Sequence, residues 1–254
     1  MTNLQNIKEY IKKLKKKFAG KKIAVLFSGG VDSALIAYAA KDFADAVTID
    51  SEFTFRYNLN DAVKFTKRHK IPHKIITTKF LNNDCNEIQT NPENRCYLCK
   101  KKIINEVKKE GYDIILDGTN TDDLKETRPG INALIDEGVI SPFLELKFGK
   151  EKIMEIMNNI DENFALKPHE SCMATRIPYN TTITTERLKR IEEIENYIRN
   201  SGVAVVRFRD YFPDARIEVS KGDFEVVVKK RERIVKKIKS CGYETITLNL
   251  DAHN

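Results

Sequence analysis

Proline and glycine are scarce in this chain, at 7 and 11 of 254 residues, and no low-complexity tract occurs. That scarcity argues against long disorder, which draws on these residues and on biased repeats. No apolar run approaches the roughly 20 residues needed to cross a bilayer, and the mean hydropathy is −0.45, so no membrane partner is expected. The N-terminus is basic and amphipathic but has neither the apolar stretch nor the small-residue cleavage site of a secretory signal. A cytoplasmic protein is expected. Only four histidines are present, and none stands at ligand spacing from a second cysteine pair, which removes a zinc finger. No internal repeat is visible.

What is present begins with charge. Lys and Arg number 44 against 37 Asp and Glu, a formal net charge of +7 with a pI near 9.0. This weakly favours anionic partners, nucleotides or RNA, without choosing between them. Five cysteines, an odd number, are scattered at positions 85, 96, 99, 172 and 241. In a reducing compartment they suit metal or sulfur chemistry better than a disulfide framework. Cys85 and Cys241 have no motif around them and read as structural.

Periodicity organises the chain. Leu4, Ile7, Ile11, Leu14 and Phe18 fall at helical spacing up to Gly20. The unbroken apolar run 23–27 then reads as a strand buried on both faces, followed by a glycine turn and an apolar helix from about Ala34. Further alternation predicts strands at 46–49, 73–77 and 113–117, with helices at 60–69 and 92–110. Such βαβα order indicates an α/β fold with a parallel, doubly wound sheet. Past residue 142 come a helix over 152–159 and a long polar segment, 167–179, of a length that is more often functional than incidental. A second unit follows, with a helix over 185–200, strands at 203–209, 215–220 and 243–248, and a basic helix over 223–240. We therefore expect a first domain over 1–179 and a small α+β domain, for substrate binding or oligomerisation, over 180–254.

The turn Ser28-Gly29-Gly30-Val31-Asp32-Ser33 carries a chemical rationale at each residue. Glycines let backbone N–H groups turn toward an anion, and the following helix N-terminus adds unpaired donors and partial positive charge. The Ser28 and Ser33 hydroxyls add donors, and Asp32 can hold a Mg²⁺ that bridges phosphates. No lysine follows the glycines, so this is not a Walker loop. A tight strand-to-helix turn with no ligand would also use Gly-Gly.

Cys96 and Cys99 lie three apart at the start of a helix, in Asn94-Arg95-Cys96-Tyr97-Leu98-Cys99-Lys100-Lys101, and so share a face. The lysines beside them and the helix N-terminus favour thiolate. By themselves these residues fit a redox disulfide, a zinc site completed by Cys172 and a histidine such as His169, core packing beside Ile103 and Val107, or a metal cluster.

The sequence resembles the PP-loop ATP pyrophosphatases through Ser28–Ser33. It resembles the LarE family through that loop, Arg95-Cys96-Tyr97-Leu98-Cys99-Lys100, Asp117-Gly-Thr-Asn-Thr-Asp-Asp-Leu124, Thr127-Arg-Pro-Gly130, Glu137-Gly-Val139, Ser141-Pro142, Cys172-Met-Ala-Thr-Arg-Ile-Pro-Tyr179 and Ala215-Arg-Ile-Glu-Val219. These matches span nearly the whole chain. The resemblance implies a sheet of the PP-loop (adenine nucleotide alpha hydrolase-like) type. It further implies an ATP-dependent sulfurtransferase that converts pyridinium-3,5-biscarboxylic acid mononucleotide to its bisthiocarboxylic form, for nickel-pincer cofactor biosynthesis. Members with the Cys172-type position alone sacrifice that cysteine. This sequence also carries Cys96 and Cys99 and is similar to the three-cysteine branch, which implies a 4Fe-4S cluster on Cys96, Cys99 and Cys172, with Asp32 also in a catalytic role. Inorganic sulfide or a sulfide donor, and a homo-oligomer, are the further partners implied.

On this reading Ser28, Gly29, Gly30, Asp32 and Ser33 hold ATP phosphates and Mg²⁺, with Ser51 near the adenosine. Gly118 and Thr119 close a strand at its carboxyl end, where open α/β sheets bind ligands. Arg128 and Arg176 are candidate clamps for phosphate or adenylate, because a guanidinium fork fits those oxygens. Arg207 and Arg209 are assigned to the mononucleotide phosphate, although such an alternating charged face is also met as solvated or internally paired, Arg216 with Glu218. Asp122 and Asp123 suit a helix cap or a metal equally. The basic stretch 221–239 suits a solvated face or RNA. An iron-sulfur tRNA thiolase of the PP-loop class is the alternative activity, and a non-catalytic nucleotide-binding or iron-sulfur regulator a third reading. No RNA-binding appendage is recognisable, so nucleic acid is not the expected partner.

Overall fold

In the computed structural model, which describes residues 3–81, 86–125, 129–168 and 170–251, the first half runs α1 (Asn3–Lys17), β1 (Ile23–Leu26), α2 (Val31–Ala40), β2 (Ala44–Asp50), α3 (Arg56–His69), β3 (His73–Thr77), α4 (Asn86–Gln89), α5 (Arg95–Lys109) and β4 (Ile114–Leu116). There follow α6 (Pro129–Asp136), α7 (Pro142–Glu145), α8 (Lys150–Asn158), α9 (Glu162–Ala165), α10 (Thr185–Asn200), β5 (Val206–Tyr211), β6 (Asp214–Val219), α11 (Phe224–Lys229), α12 (Arg231–Ser240) and β7 (Thr245–Leu248). Two compact units divide the chain: Met1–Lys79 with Asn94–His169, and Phe80–Glu93 with Glu170–Asn254.

The first unit is built on a four-stranded sheet of order β3-β2-β1-β4, parallel throughout, with Val25 of β1 in register with Ala46 and Leu116. Ile140 bridges Leu116 in the same sense and extends that edge. The unbroken apolar run of β1 has a simple cause. Val25 and Phe27 enter a core with Ile7 and Ile11 of α1, Leu35 of α2 and Ile153 of α8. Ala24 and Leu26 face the other way, onto Ile104 and Val107 of α5 and Leu134 of α6. With helices on both faces no strand residue is left for water, so alternation disappears. Each fully buried Val, Leu, Ile or Phe contributes about 1.5–3 kcal/mol.

The second unit holds a three-stranded mixed sheet, β5-β6-β7. Its β5 and β6 form an antiparallel pair, and β7 adds to β6 in parallel. Helix α10 starts at a Thr184 cap, whose hydroxyl accepts the Arg187 N–H, and buries Leu188, Ile191, Ile194 and Ile198.

Several expectations change. The division falls after His169, ten residues before the predicted boundary, and the segment 80–93 joins the second unit. Hydrogen bonding is the reason: the buried Asn91 side chain donates to the Ile177 and Pro178 carbonyls, and the Asn180 and Ile183 N–H groups donate to the Asn91 and Gln89 carbonyls. The predicted basic helix breaks at Lys230 into α11 and α12. Helices α6 and α9, of 8 and 4 residues, are too short to show a period and were not foreseen. Among the described residues no helix is long and apolar enough to cross a membrane.

Candidate functional site

The carboxyl end of β1 leads into the glycine turn. Gly29 has a left-handed backbone (φ +79°), and a Cβ there would lie 3.1 Å from the Asn58 carbonyl oxygen of α3, so both conformation and space call for glycine. Gly30 is the N-cap residue of α2 and has no side chain with which to cap it. A helix N-terminus of this kind is where backbone N–H groups and partial positive charge meet an anion. The Ser33 hydroxyl donates to the Gly30 carbonyl at 3.1 Å and accepts the Ser28 N–H at 3.3 Å, while the two serine hydroxyls stand 3.2 Å apart. These bonds hold the loop's curvature. Asp32 lies in the first turn of α2.

The end of β4 meets the same turn. A Cβ on Gly118 would come within 2.6 Å of the Ser33 amide nitrogen, so two backbone segments touch where any side chain would separate them. Buried Asp117 accepts hydrogen bonds from Ser141 (2.6 Å) and Thr119 (2.5 Å). At the end of β2, Ser51 shares a hydroxyl contact with Thr54 (3.2 Å) and accepts the Phe53 N–H, forming a closed turn. Asp122 accepts the Lys150 N–H at 2.7 Å and so caps α8. Hydrogen bonds from Lys125 and from that amide hold its carboxyl below the usual aspartate range.

Cys96 and Cys99 occupy the first two turns of α5 and are half-buried. The buried Arg95 guanidinium reaches the Cys96 sulfur at 3.7 Å. Gly130, at the start of α6, lies beside Cys96, and a Cβ there would meet the Cys96 carbonyl oxygen at 3.6 Å, an ordinary contact.

In the second unit, Cys172 is an exposed free thiol at the start of a single 3-10 turn, Met173–Arg176. Arg176, only 1% exposed, fixes this turn from beneath. Its Nε and Nη2 donate to Glu195 (2.8 and 3.2 Å), Nη2 also to Glu170 (3.0 Å), and Nη1 to Ser171 (2.7 Å) and Thr175 (3.1 Å). Burial would lower the Arg176 pKa, but the two carboxylates raise it on balance. Glu195, wholly buried on the apolar face of α10, also accepts the Phe208 N–H. On β5, Arg209 donates to Glu218 (2.8 Å) and to the Thr175 carbonyl (2.7 Å), which ties the Cys172 turn to the sheet. Arg216 pairs with the same Glu218 at 3.1 Å. Arg207 stands on this face too, opposite Glu218 in register. Burial, and then the nearby Arg176 and Arg209 charges, lower its pKa. A half-buried guanidinium held among like charges attracts an anion.

A model described as a family of unknown function, DUF7411, matches residues 21–197, from β1 to within α10. The chain belongs to the DUF7411 family. An uncharacterized protein of Methanocaldococcus jannaschii is 35% identical over 246 residues, 94% of each chain. One from Synechocystis is 31% identical over 262 residues, covering 99% of this chain and 95% of its own. The pyridinium-3,5-bisthiocarboxylic acid mononucleotide synthase of Lactiplantibacillus plantarum is 27% identical over 241 residues, 90% of this chain and 86% of that one.

In this DUF7411 protein, Ser28, Gly29, Gly30, Asp32, Ser33 and Gly118 come together at one sheet end, while Ser51 and Thr119 lie in turns that follow β2 and β4. Cys96 and Cys99 belong to the first unit, and Cys172, Arg176, Arg207 and Arg209 to the second. Among the described residues no three His, Cys, Asp or Glu side chains are gathered as a metal site. Arg128, Cys85 and His169 lie outside the described residues. Arg176 departs from the clamp expected of it: its donors are all engaged within the second unit, so it is a positioning residue for the Cys172 turn. Sequence reading missed Glu170 and Glu195. A glutamate at a core position of α10's apolar stripe was the available signal. It also gave no role to Lys167, whose ammonium reaches the Gly29 carbonyl.

Proposed function

We propose that the chain is an ATP-dependent sulfurtransferase with pyridinium-3,5-biscarboxylic acid mononucleotide as substrate. The observation that carries this reading is the glycine loop leading into the N-terminus of α2, in a chain similar over 90% of its length to the Lactiplantibacillus plantarum synthase. The fold is then of the PP-loop type. The loop amides and the Ser28 and Ser33 hydroxyls hold the ATP phosphates, Asp32 takes Mg²⁺, and the end of β2 at Ser51 borders the adenosine. A substrate carboxylate oxygen attacks the α-phosphorus, the α–β anhydride bond breaks and pyrophosphate leaves. Sulfide then adds at the acyl carbon and AMP departs, giving a thiocarboxylate with no net redox change.

Arg207, and Arg209 oriented by Glu218, hold the mononucleotide phosphate. Cys96, Cys99 and Cys172 are the cysteines this reading assigns to the cluster, and thiolates are the donors that iron-sulfur ligation requires. A 4Fe-4S cluster would be held there by the Cys96, Cys99 and Cys172 thiolates and would supply the sulfide for transfer. Arg95 donates to the Cys96 sulfur, and Arg176 holds the turn that presents Cys172.

Anaerobic incubation with ATP, Mg²⁺, sulfide and the biscarboxylate mononucleotide tests the reading. AMP should form only with substrate present, and the product mass should rise by the exchange of oxygen for sulfur. Visible absorption of the cluster should vanish in Cys96→Ala, Cys99→Ala and Cys172→Ala. Stoichiometric zinc in place of iron would remove the cluster assignment.

A further inference from the structure

The glycine loop lacks a lysine of its own, yet a lysine arrives there from 138 residues downstream. Beyond the end of α9, the Lys167 Nζ lies 3.3 Å from the Gly29 carbonyl oxygen and 3.1 Å from Asp61 Oδ2 of α3, with the side chain 14% exposed. Its stem passes the Phe164 ring, 5.7 Å from Nζ to the centroid. That ring is fixed in turn: Asp161 accepts the Phe164 N–H at 3.1 Å and is held by Arg68 (2.7 Å) and His69 (2.9 Å) of α3.

A lysine is rarely taken this far out of water for a surface ion pair alone, because desolvating an ammonium is costly unless its donors are used. An ammonium has three N–H donors. The Gly29 carbonyl and Asp61 accept two of them, which leaves the third for a ligand at the loop. A polyphosphate there would carry several negative charges, and amides and hydroxyls offer only partial ones.

We propose that Lys167 is the phosphate-binding ammonium of the glycine loop, positioned by Asp61 and the Gly29 carbonyl to take the β- and γ-phosphate oxygens of a nucleoside triphosphate. The role is the one a Walker lysine performs, supplied here from the far end of the unit. It rests on the reading of the loop as an ATP site and adds to it a residue that discriminates triphosphate from monophosphate.

Calorimetric titration of the full chain with MgATP, inorganic pyrophosphate and AMP tests this, using wild type, Lys167→Ala, Lys167→Gln and Lys167→Arg. Lys167→Ala and Lys167→Gln should weaken ATP and pyrophosphate about tenfold or more, and AMP less than about twofold. Lys167→Arg should recover part of the triphosphate affinity. The glutamine variant keeps a donor for the Gly29 carbonyl, so it remains informative if the alanine variant fails to fold. Unchanged ATP affinity in a folded Lys167→Gln would overturn the role of Lys167 and leave the loop reading standing. Equal losses of ATP and AMP would reduce Lys167 to a structural part and overturn the proposal as well. Wild-type protein that binds no ATP would overturn both.

Discussion

The first unit gathers main chain at its glycine loop; the second gathers charged side chains around its β5–β6 sheet. At the glycine loop the donors are amide N–H groups at the start of α2, and the surrounding serines, Gly29 and Gly118 serve to let main chain approach main chain. Around the β5–β6 sheet the donors are guanidiniums, and most are already engaged: Arg176 of the Cys172 turn by Glu195 and Glu170, Arg209 and Arg216 of the strands by Glu218. A backbone site costs little to keep ready, since its dipoles come with the fold. A side-chain site requires carboxylates to hold its cations apart, so that only part of its charge faces a ligand.

That contrast can be broken most forcefully at Arg176. Replacing it by Met leaves buried Glu195 and Glu170 to Arg199, the other guanidinium paired with both, and should cost about 3–5 kcal/mol, read as a lower denaturant midpoint. A cost below about 1 kcal/mol would make Arg176 a spare cation and erase the difference between the regions. Gly118→Ala comes next. Its new Cβ meets the Ser33 amide nitrogen at 2.6 Å, so a loss of about 1–3 kcal/mol from overpacking is expected, together with loss of nucleotide binding. An alanine tolerated with full ATP affinity would show that main-chain contact is not what shapes the loop.

Asp161 sharpens the comparison by placing the first unit's ion pairs behind the loop. Burial alone would raise its pKa, but hydrogen bonds from His69, Arg68 and the Phe164 amide lower it on balance. The stability it contributes is complete above the unfolded value and is lost as pH falls through the lower folded one. Acid titration of unfolding should therefore show a loss below about pH 4 that Asp161→Asn lacks. At neutral pH the same variant should be about 1–2 kcal/mol less stable. The smallest stability effect belongs to Arg207→Ala, within about 0.5 kcal/mol of wild type, because its removal relieves repulsion from Arg176 and Arg209. Its affinity for inorganic phosphate, measured by calorimetry, should fall nonetheless. A large destabilisation would place Arg207 among the structural ion pairs.

Much of the secondary structure of both units was legible beforehand. The strand at 73–77 and the helix at 185–200 match residue for residue, and the loop could be assembled because Ser28 to Ser33 are contiguous. The pairing of Arg216 with Glu218 was also within reach, since both lie on one strand face. Arg176 was not. A guanidinium fork suits phosphate and buried carboxylate equally, and Glu195 stands 19 residues away on another element. The domain boundary failed for a similar reason, because the contacts of Asn91 with Ile177 and Pro178 leave no trace in composition.

The scarcity of Pro and Gly, the unbroken apolar strands and the Ser28–Ser33 motif were determined by sequence alone, for they express local propensity and a contiguous backbone shape. Only tertiary structure decided which charges are engaged and which remain available. Arg176 was withdrawn from ligand binding by two glutamates, and Lys167 was delivered to a loop that has no lysine. Long side chains of one sign look alike along a chain. What distinguishes them is the partner that folding brings within about 3 Å.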